Sequence, residues 1–284
     1  MEGSALDALV GVSTLVFVVT SMVAMGLSLT VRQVLDSLSN GRLVALALVV
    51  NFVAVPAVAY GIDLVLNLDE SLFTGLVLIA VAGGAPFLPK LVQVAKGDAA
   101  LSVGLMVLLM VATVVVMPLA LPLLLGDVEV NAWDIASSLI FLMLFPLGAS
   151  LVVRARYADL AESSVPAFER ISSVAMAFLA VGGIIANWNE VVSLVGTRGI
   201  LAAALLIVIA FGLGFGTGGS ETATRSVFGL GAGQRNLSAA FVVAVQNFPD
   251  DGDVLAFVIV AGLVGLIVLM TAAAEVGRRQ APTG

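Results

Sequence analysis

Two stretches decide how this chain reads: Gly83-Gly84-Ala85-Pro86-Phe87-Leu88-Pro89-Lys90 and Gly229-Leu230-Gly231-Ala232-Gly233-Gln234-Arg235. Each lies inside a segment too apolar to be anything but membrane-spanning, each is broken by glycine or proline, and each carries one cation. Placing a cation at the centre of a membrane helix costs about 2.5–3.5 kcal/mol on insertion scales, so Lys90 and Arg235 together cost roughly 5–7 kcal/mol. Charges that costly, in helices already interrupted, point to a binding site within the bilayer and to a transporter.

The rest of the sequence agrees. Of 284 residues, 61% are hydrophobic and 11% charged, with mean hydropathy +1.17. A soluble domain would carry about 25% charged residues. The fold class is therefore an all-α polytopic membrane protein, one transmembrane domain over residues 1–284, with the lipid bilayer as its main surroundings. Cysteine and histidine are absent. Disulfides, thiolate metal sites, the usual metal ligand and the Ser-His or Cys-His pairings are all excluded. The carboxylates fall in loops or at span ends, so neither an enzyme nor a cofactor or metal is expected. Met1 to Asp7 carries acids where a secretory peptide has basic residues, so the first apolar stretch reads as a retained helix.

Apolar segments of spanning length fall at about 7–30, 42–66, 71–94, 99–125, 132–153, 166–187, 197–217, 225–248 and 253–276, nine in all. Basic residues follow the odd-numbered spans: Arg32 and Arg42, Lys96, then Arg154, Arg156 and Arg170, then Arg225, then Arg278 and Arg279. Acids follow the even-numbered ones: Asp63, Asp69 and Glu70; Asp127, Glu129 and Asp134; Glu190; Asp250, Asp251 and Asp253. The acids mainly follow that rule, and among the basic residues Arg198 alone breaks it. The positive-inside rule then puts the N-terminus outside and the C-terminus in the cytoplasm, in a cell (inner) membrane. The acidic balance, net −7, sits mostly on the outer face and argues against nucleic acid as a partner.

The third and eighth spans are the broken ones, five positions apart in the helix order. Interrupted helices at matching positions of two halves point to inverted repeats, here about 7–125 and 132–276, with a site at mid-membrane. Half-helix N-termini favour anions, and with Lys90 and Arg235 they are expected to form an electropositive pocket. Gln234, Asn236 and Ser238 offer neutral hydrogen bonds beside it, and Asn51 and Thr113 add others. Gly83, Gly84, Pro86, Pro89, Gly231 and Gly233 are the positions that interrupt the two broken spans. Met22, Met25, Met106, Met110 and Met117 read as packing, Phe145-Pro146-Leu147-Gly148 as a kink, and Trp133 and Trp188 as interface anchors. Gly212-x-Gly214-x-Gly216 reads as helix packing.

Several motifs resemble the bile acid:sodium symporter family. They are Met25-Gly26-Leu27-Ser28-Leu29, Asn51-Phe52-Val53-Ala54-Val55-Pro56, Ala82-Gly83-Gly84-Ala85-Pro86, the run Ala95 to Val103, and Gly233-Gln234-Arg235-Asn236. The resemblance implies a core and a panel domain, two discontinuous helices crossing in the core, and organic anions as substrates. It also implies a nine-helix version of a ten-helix plan. Where family members place sodium ligands, this chain has Leu88, Pro89, Gly231 and Arg235, with Leu109, Thr113 and Asn51 at the remaining positions. Sodium wants five or six oxygens, and a fixed cation ~4 Å away repels it by about 4 kcal/mol at an effective dielectric of 20. The expectation is a secondary transporter of an organic anion working by alternating access, without sodium coupling, in which Lys90 and Arg235 stand in for bound sodium. A desolvated lysine can shed its proton, which makes Lys90 the candidate proton carrier and Arg235 the permanent anchor. A sodium-coupled symporter, with Glu221 restoring the missing carboxylate, is one alternative; an anion channel is another.

Overall fold

The computed structural model describes residues 5–30, 32, 40–126, 132–186 and 188–280, all of them in helices and the short segments between. The expected loop acids Asp127 and Glu129 lie outside the described residues. In chain order the helices are α1 (Ala5–Ser28), α2 (Gly41–Leu66), α3 (Glu70–Val81), α4 (Leu88–Val94), α5 (Ala99–Leu124) and α6 (Ala132–Arg156). They continue with α7 (Ala158–Ala186), α8 (Trp188–Gly196), α9 (Gly199–Thr217), α10 (Thr222–Gly233), α11 (Leu237–Asn247) and α12 (Gly252–Arg279).

Among the described residues six helices are long and apolar enough to cross a membrane: α1, α2, α5, α6, α9 and α12. The expected third and eighth spans are each a pair of half-helices, α3 with α4 and α10 with α11. The expected sixth span, 166–187, falls on α7, which carries Asp159 and Glu162 before it and Glu169 and Arg170 within it. The chain is thus a multi-pass membrane protein with discontinuous helices.

Two long helices contain a π-type turn just before a proline, Val50–Ala54 before Pro56 and Ile140–Leu144 before Pro146. Proline has no N–H for the carbonyl four residues back, so the ladder widens by one residue. Val55 N–H donates to Val50 O and Phe145 N–H to Ile140 O, each five residues back. The expected break at Phe145-Pro146 is this widened turn.

Packing sorts the helices into two groups. The first is α1, α6 and α7, with α1 lying along both partners. Gly26 is where α1 meets α6: a β-carbon there would sit 2.0 Å from Ser150 Oγ. In the second group α9 lies against α10, α12 and α2. Of the three glycines in 212–216, only Gly214 makes a close approach, its missing β-carbon 2.2 Å from Phe228 O. Gly277 lets α12 rest on the end of α4, at 2.2 Å from Val94 O, where Gln280 Nε2 donates to Ala95 O at 2.8 Å. Met22, Met25, Met106, Met110 and Met117 are all buried packing residues, and Trp133 and Trp188 are exposed at helix starts. Arg198, the exception in the charge pattern, donates to Leu66 O and so caps the carbonyl end of α2.

Candidate functional site

The two broken spans meet at their breaks. After α3 the chain leaves the helix over Ala82–Phe87, and after α10 over Gln234–Asn236. Gly84 has φ +76°, and a β-carbon on it would stand 2.1 Å from Met110 N, so glycine is required twice over. One hydroxyl satisfies Gly83: Gly83 N–H donates to Thr113 Oγ1 (2.8 Å), and that hydroxyl donates to Gly83 O (2.9 Å). Pro89 sits in the first turn of α4, where its missing N–H has no partner to lose.

Asn236 joins the breaks. Its backbone N–H donates to Ala82 O (2.8 Å) and its Nδ2 to Gly84 O (3.1 Å), while Oδ1 accepts from Ala239 N–H and caps α11. The side chain therefore closes one half-helix and fastens the other segment to it.

Arg235 fills the space between. It is 5% exposed and donates four hydrogen bonds: Nε to Ile79 O (2.8 Å), Nη2 to Ala80 O (2.7 Å), and Nη1 to Ala232 O (2.8 Å) and Asn51 Oδ1 (3.0 Å). No carboxylate is among these partners. Ile79 and Ala80 lie in the last turn of α3, and Ala232 in the last turn of α10. Each helix C-terminus carries roughly −0.5 elementary charge, so the two together present about one negative charge to one guanidinium. The burial of Arg235 is thereby explained. Asn51 reaches it from the π-type turn of α2, held by its own Nδ2 donating to Ala47 O at 3.0 Å.

Lys90 is placed differently. Its side chain is exposed on α4, opposite the buried Leu88, Leu91 and Val92, with Nζ 6.0 Å from the centroid of the Phe87 ring. The two cations share no partner among the described residues. Arg235 also does not add its charge to the half-helix N-termini, because the C-termini of α3 and α10 have taken it up.

Gly231 is a packing position as well: a β-carbon would lie 2.7 Å from a Leu105 methyl and 3.4 Å from one of Leu88. Gly233 admits Leu269 in the same way, at 2.7 Å. The neighbourhood of Gly231 is thus hydrocarbon, with Leu88 and Leu109 almost wholly buried. Glu221, at the exposed start of α10, is separated from the crossing by the whole of that helix, about 18 Å for twelve residues. It does not reach the crossing.

Two oxygens beside the crossing have no hydrogen-bond partner among the described residues, Gln234 Oε1 and Ser238 Oγ, and Ser238 is 1% exposed. No group of three or more His, Cys, Asp or Glu suited to a metal occurs among the described residues.

Residues 15–214 match the Sodium Bile acid symporter family. The chain belongs to that family. It is a family of transporters, not of enzymes. The match ends before α10, so the Arg235 segment lies beyond it. Among similar proteins, a probable chloroplastic sodium/metabolite cotransporter, BASS2 of Oryza sativa subsp. japonica, is 25% identical over 234 residues, which cover 81% of this chain and 55% of that protein. The probable chloroplastic sodium/metabolite cotransporter BASS1 of Arabidopsis thaliana is 25% identical over 239 residues, 83% of this chain and 59% of that one. The uncharacterized sodium-dependent transporter YocS of Bacillus subtilis (strain 168) is 26% identical over 194 residues, 68% and 57%. The chain spans somewhat more than half the length of each of these relatives.

Four residues singled out in the sequence, Asn51, Thr113, Arg235 and Asn236, come together at the crossing. Gln234 and Ser238 lie beside it, and Lys90 does not join it. The partners missed were carbonyls, those of Ile79, Ala80, Ala82, Gly84 and Ala232. Pro56, placed shortly after Asn51, was the available signal for the widened turn that presents the amide.

Proposed function

We propose that this member of the symporter family is a secondary transporter of a small organic anion, and that it works without bound sodium because Arg235 is its built-in cation. The observation that carries the reading is the set of four oxygens around the guanidinium, at 2.7–3.0 Å, with no carboxylate among them. These are the donor types a sodium ion would need, and a sodium ion within ~4 Å of Arg235 would be opposed by about 4 kcal/mol. The leucines around Gly231 support the same conclusion for a second ion, since hydrocarbon offers no ligand. Only Arg235 takes the stand-in role; Lys90, exposed on the inner half-helix α4, is assigned to the substrate anion. Gln234 and Ser238 supply neutral contacts. Access alternates by movement of α1, α6 and α7, the panel, against the remaining helices, the core, with the repeats at about 7–125 and 132–276. The N-terminus lies outside and the C-terminus inside.

The relatives named for sodium coupling support a second reading, in which sodium still binds. Thermal unfolding of the purified protein in sodium chloride and in choline chloride at matched ionic strength decides between them. A specific ligand at a hundred times its dissociation constant stabilises by about 2.7 kcal/mol. The two salts are expected to give the same midpoint; a rise with sodium alone overturns the built-in cation.

A further inference from the structure

Within each helix group the helices touch closely. Gly26 at Ser150, Gly214 at Phe228 O and Gly277 at Val94 O leave no room for a β-carbon. Between the groups the side-chain contacts are of another kind. Phe17 of α1 meets Phe241 of α11 edge to face, ring centroids 6.4 Å apart. Ser138 of α6 donates to Gln246 Oε1 of α11, the same hydroxyl also lying 2.7 Å from Asp134 O. Half-helix α11 therefore lies between α1 and α6 and packs on both, with one ring pair near its middle and one surface hydrogen bond near its end; away from it, α6 also meets α5 and α7 meets α12.

Both contacts lie between the break and the end of the bundle that carries Asp134, Asp250, Asp251 and Asp253. Phe241 is three residues beyond Ser238, and residues three apart on a helix are surface neighbours. The unpartnered Ser238 hydroxyl is thus covered on the side that faces α1.

We propose that α11 with Phe17, Ser138, Phe241 and Gln246 forms the gate closing the acidic mouth over the crossing. The inference rests on the alternating-access reading above and adds the residues that must part. A ring pair and one exposed hydrogen bond are weak closures, suited to a gate that opens and shuts while the tightly packed groups move as bodies. Phe17 is half-buried and Gln246 exposed, so both can be replaced without opening the core.

The absence of cysteine makes the test direct. Ser238→Cys is a near-isosteric reporter, treated with a charged, membrane-impermeant methanethiosulfonate from the acidic face of sealed vesicles. Adding Phe17→Ala and Gln246→Ala is expected to raise its modification rate about tenfold, the factor that 1.4 kcal/mol gives. A Lys90→Cys reporter, labelled from the opposite face, should show no such rise, which separates gate opening from general loosening. The gate is overturned by an unchanged rate at Ser238→Cys. It is equally overturned by equal acceleration of both reporters, or by a reporter that stays unreactive from the acidic face with both gate residues removed. The sodium and choline comparison reads none of these rates, so either proposal can fail without the other.

Discussion

Arg235 is the residue on which most of the crossing depends. Its removal takes the guanidinium donor from Ala80 O, Ala232 O and Asn51 Oδ1, while Ile79 O keeps the Ala82 N–H at 3.3 Å; each buried acceptor left unsatisfied costs about 1–3 kcal/mol. Arg235→Ala is expected to lower the thermal midpoint by an amount equivalent to several kcal/mol. The vacated cage should then respond to small cations, with millimolar guanidinium or sodium, but not choline, restoring part of the loss. A variant that melts like its parent, or recovers equally in all three salts, contradicts the cage. Thr113→Val keeps the shape and removes both bonds to Gly83, and about 1–3 kcal/mol should be lost; Thr113→Ser should regain most of it in the same melting assay. Arg235 and Asn236 were legible in the sequence because polar side chains are conspicuous in apolar surroundings, and Asn51 and Thr113 through the family resemblance. The carbonyl partners were not, since a backbone oxygen carries no residue identity. The exposure of Lys90 was harder to read, because in the seven residues of α4 only Gln93, three positions on and also exposed, marks the same face.

At the scale of the element, the half-helices are too short to be stable alone. α4 has seven residues and α3 twelve, below and at the edge of the ~12–15 under which isolated helices are marginal. They persist because their ends are fastened, and Gly84 is where the fastening leaves least room. Gly84→Ala is expected to cost about 1–2 kcal/mol for the left-handed backbone, and overlap with Met110 N adds about 1–3 kcal/mol. Gly212→Ala, with nothing within 4 Å of the added carbon, should be neutral or slightly stabilising. Equal midpoints for the two variants would remove the steric account of the break. Glycine and proline made both interruptions readable in the sequence. The π-type turns were less so, since Pro56 and Pro146 announce a disturbance without saying whether the helix kinks, stops or widens.

For the molecule as a whole, composition and the long apolar segments carried the multi-pass reading; the alternation of connecting charges bore on orientation, and Arg198, the exception among its basic residues, donates to Leu66 O. The grouping of helices was not legible. α5 and α9 are apolar on every side, so periodicity cannot say which face meets protein and which meets lipid. Close approaches at single glycines decide it, and Gly214 looks no different in the sequence from Gly212 or Gly216.

On the proposed sodium-free reading, a cation that is part of the chain would change the electrical character of transport. An anion moved together with sodium ions carries little net charge, or a positive one, whereas an anion moved past a fixed guanidinium travels as a bare negative charge. Each monovalent anion then exchanges about 2.3 kcal/mol with every 100 mV of membrane potential, and a negative cell interior drives it outward. On that reading the four hydrogen bonds that hold Arg235 in place would also set a polarity: accumulation would require an opposing gradient, and release would be the downhill direction.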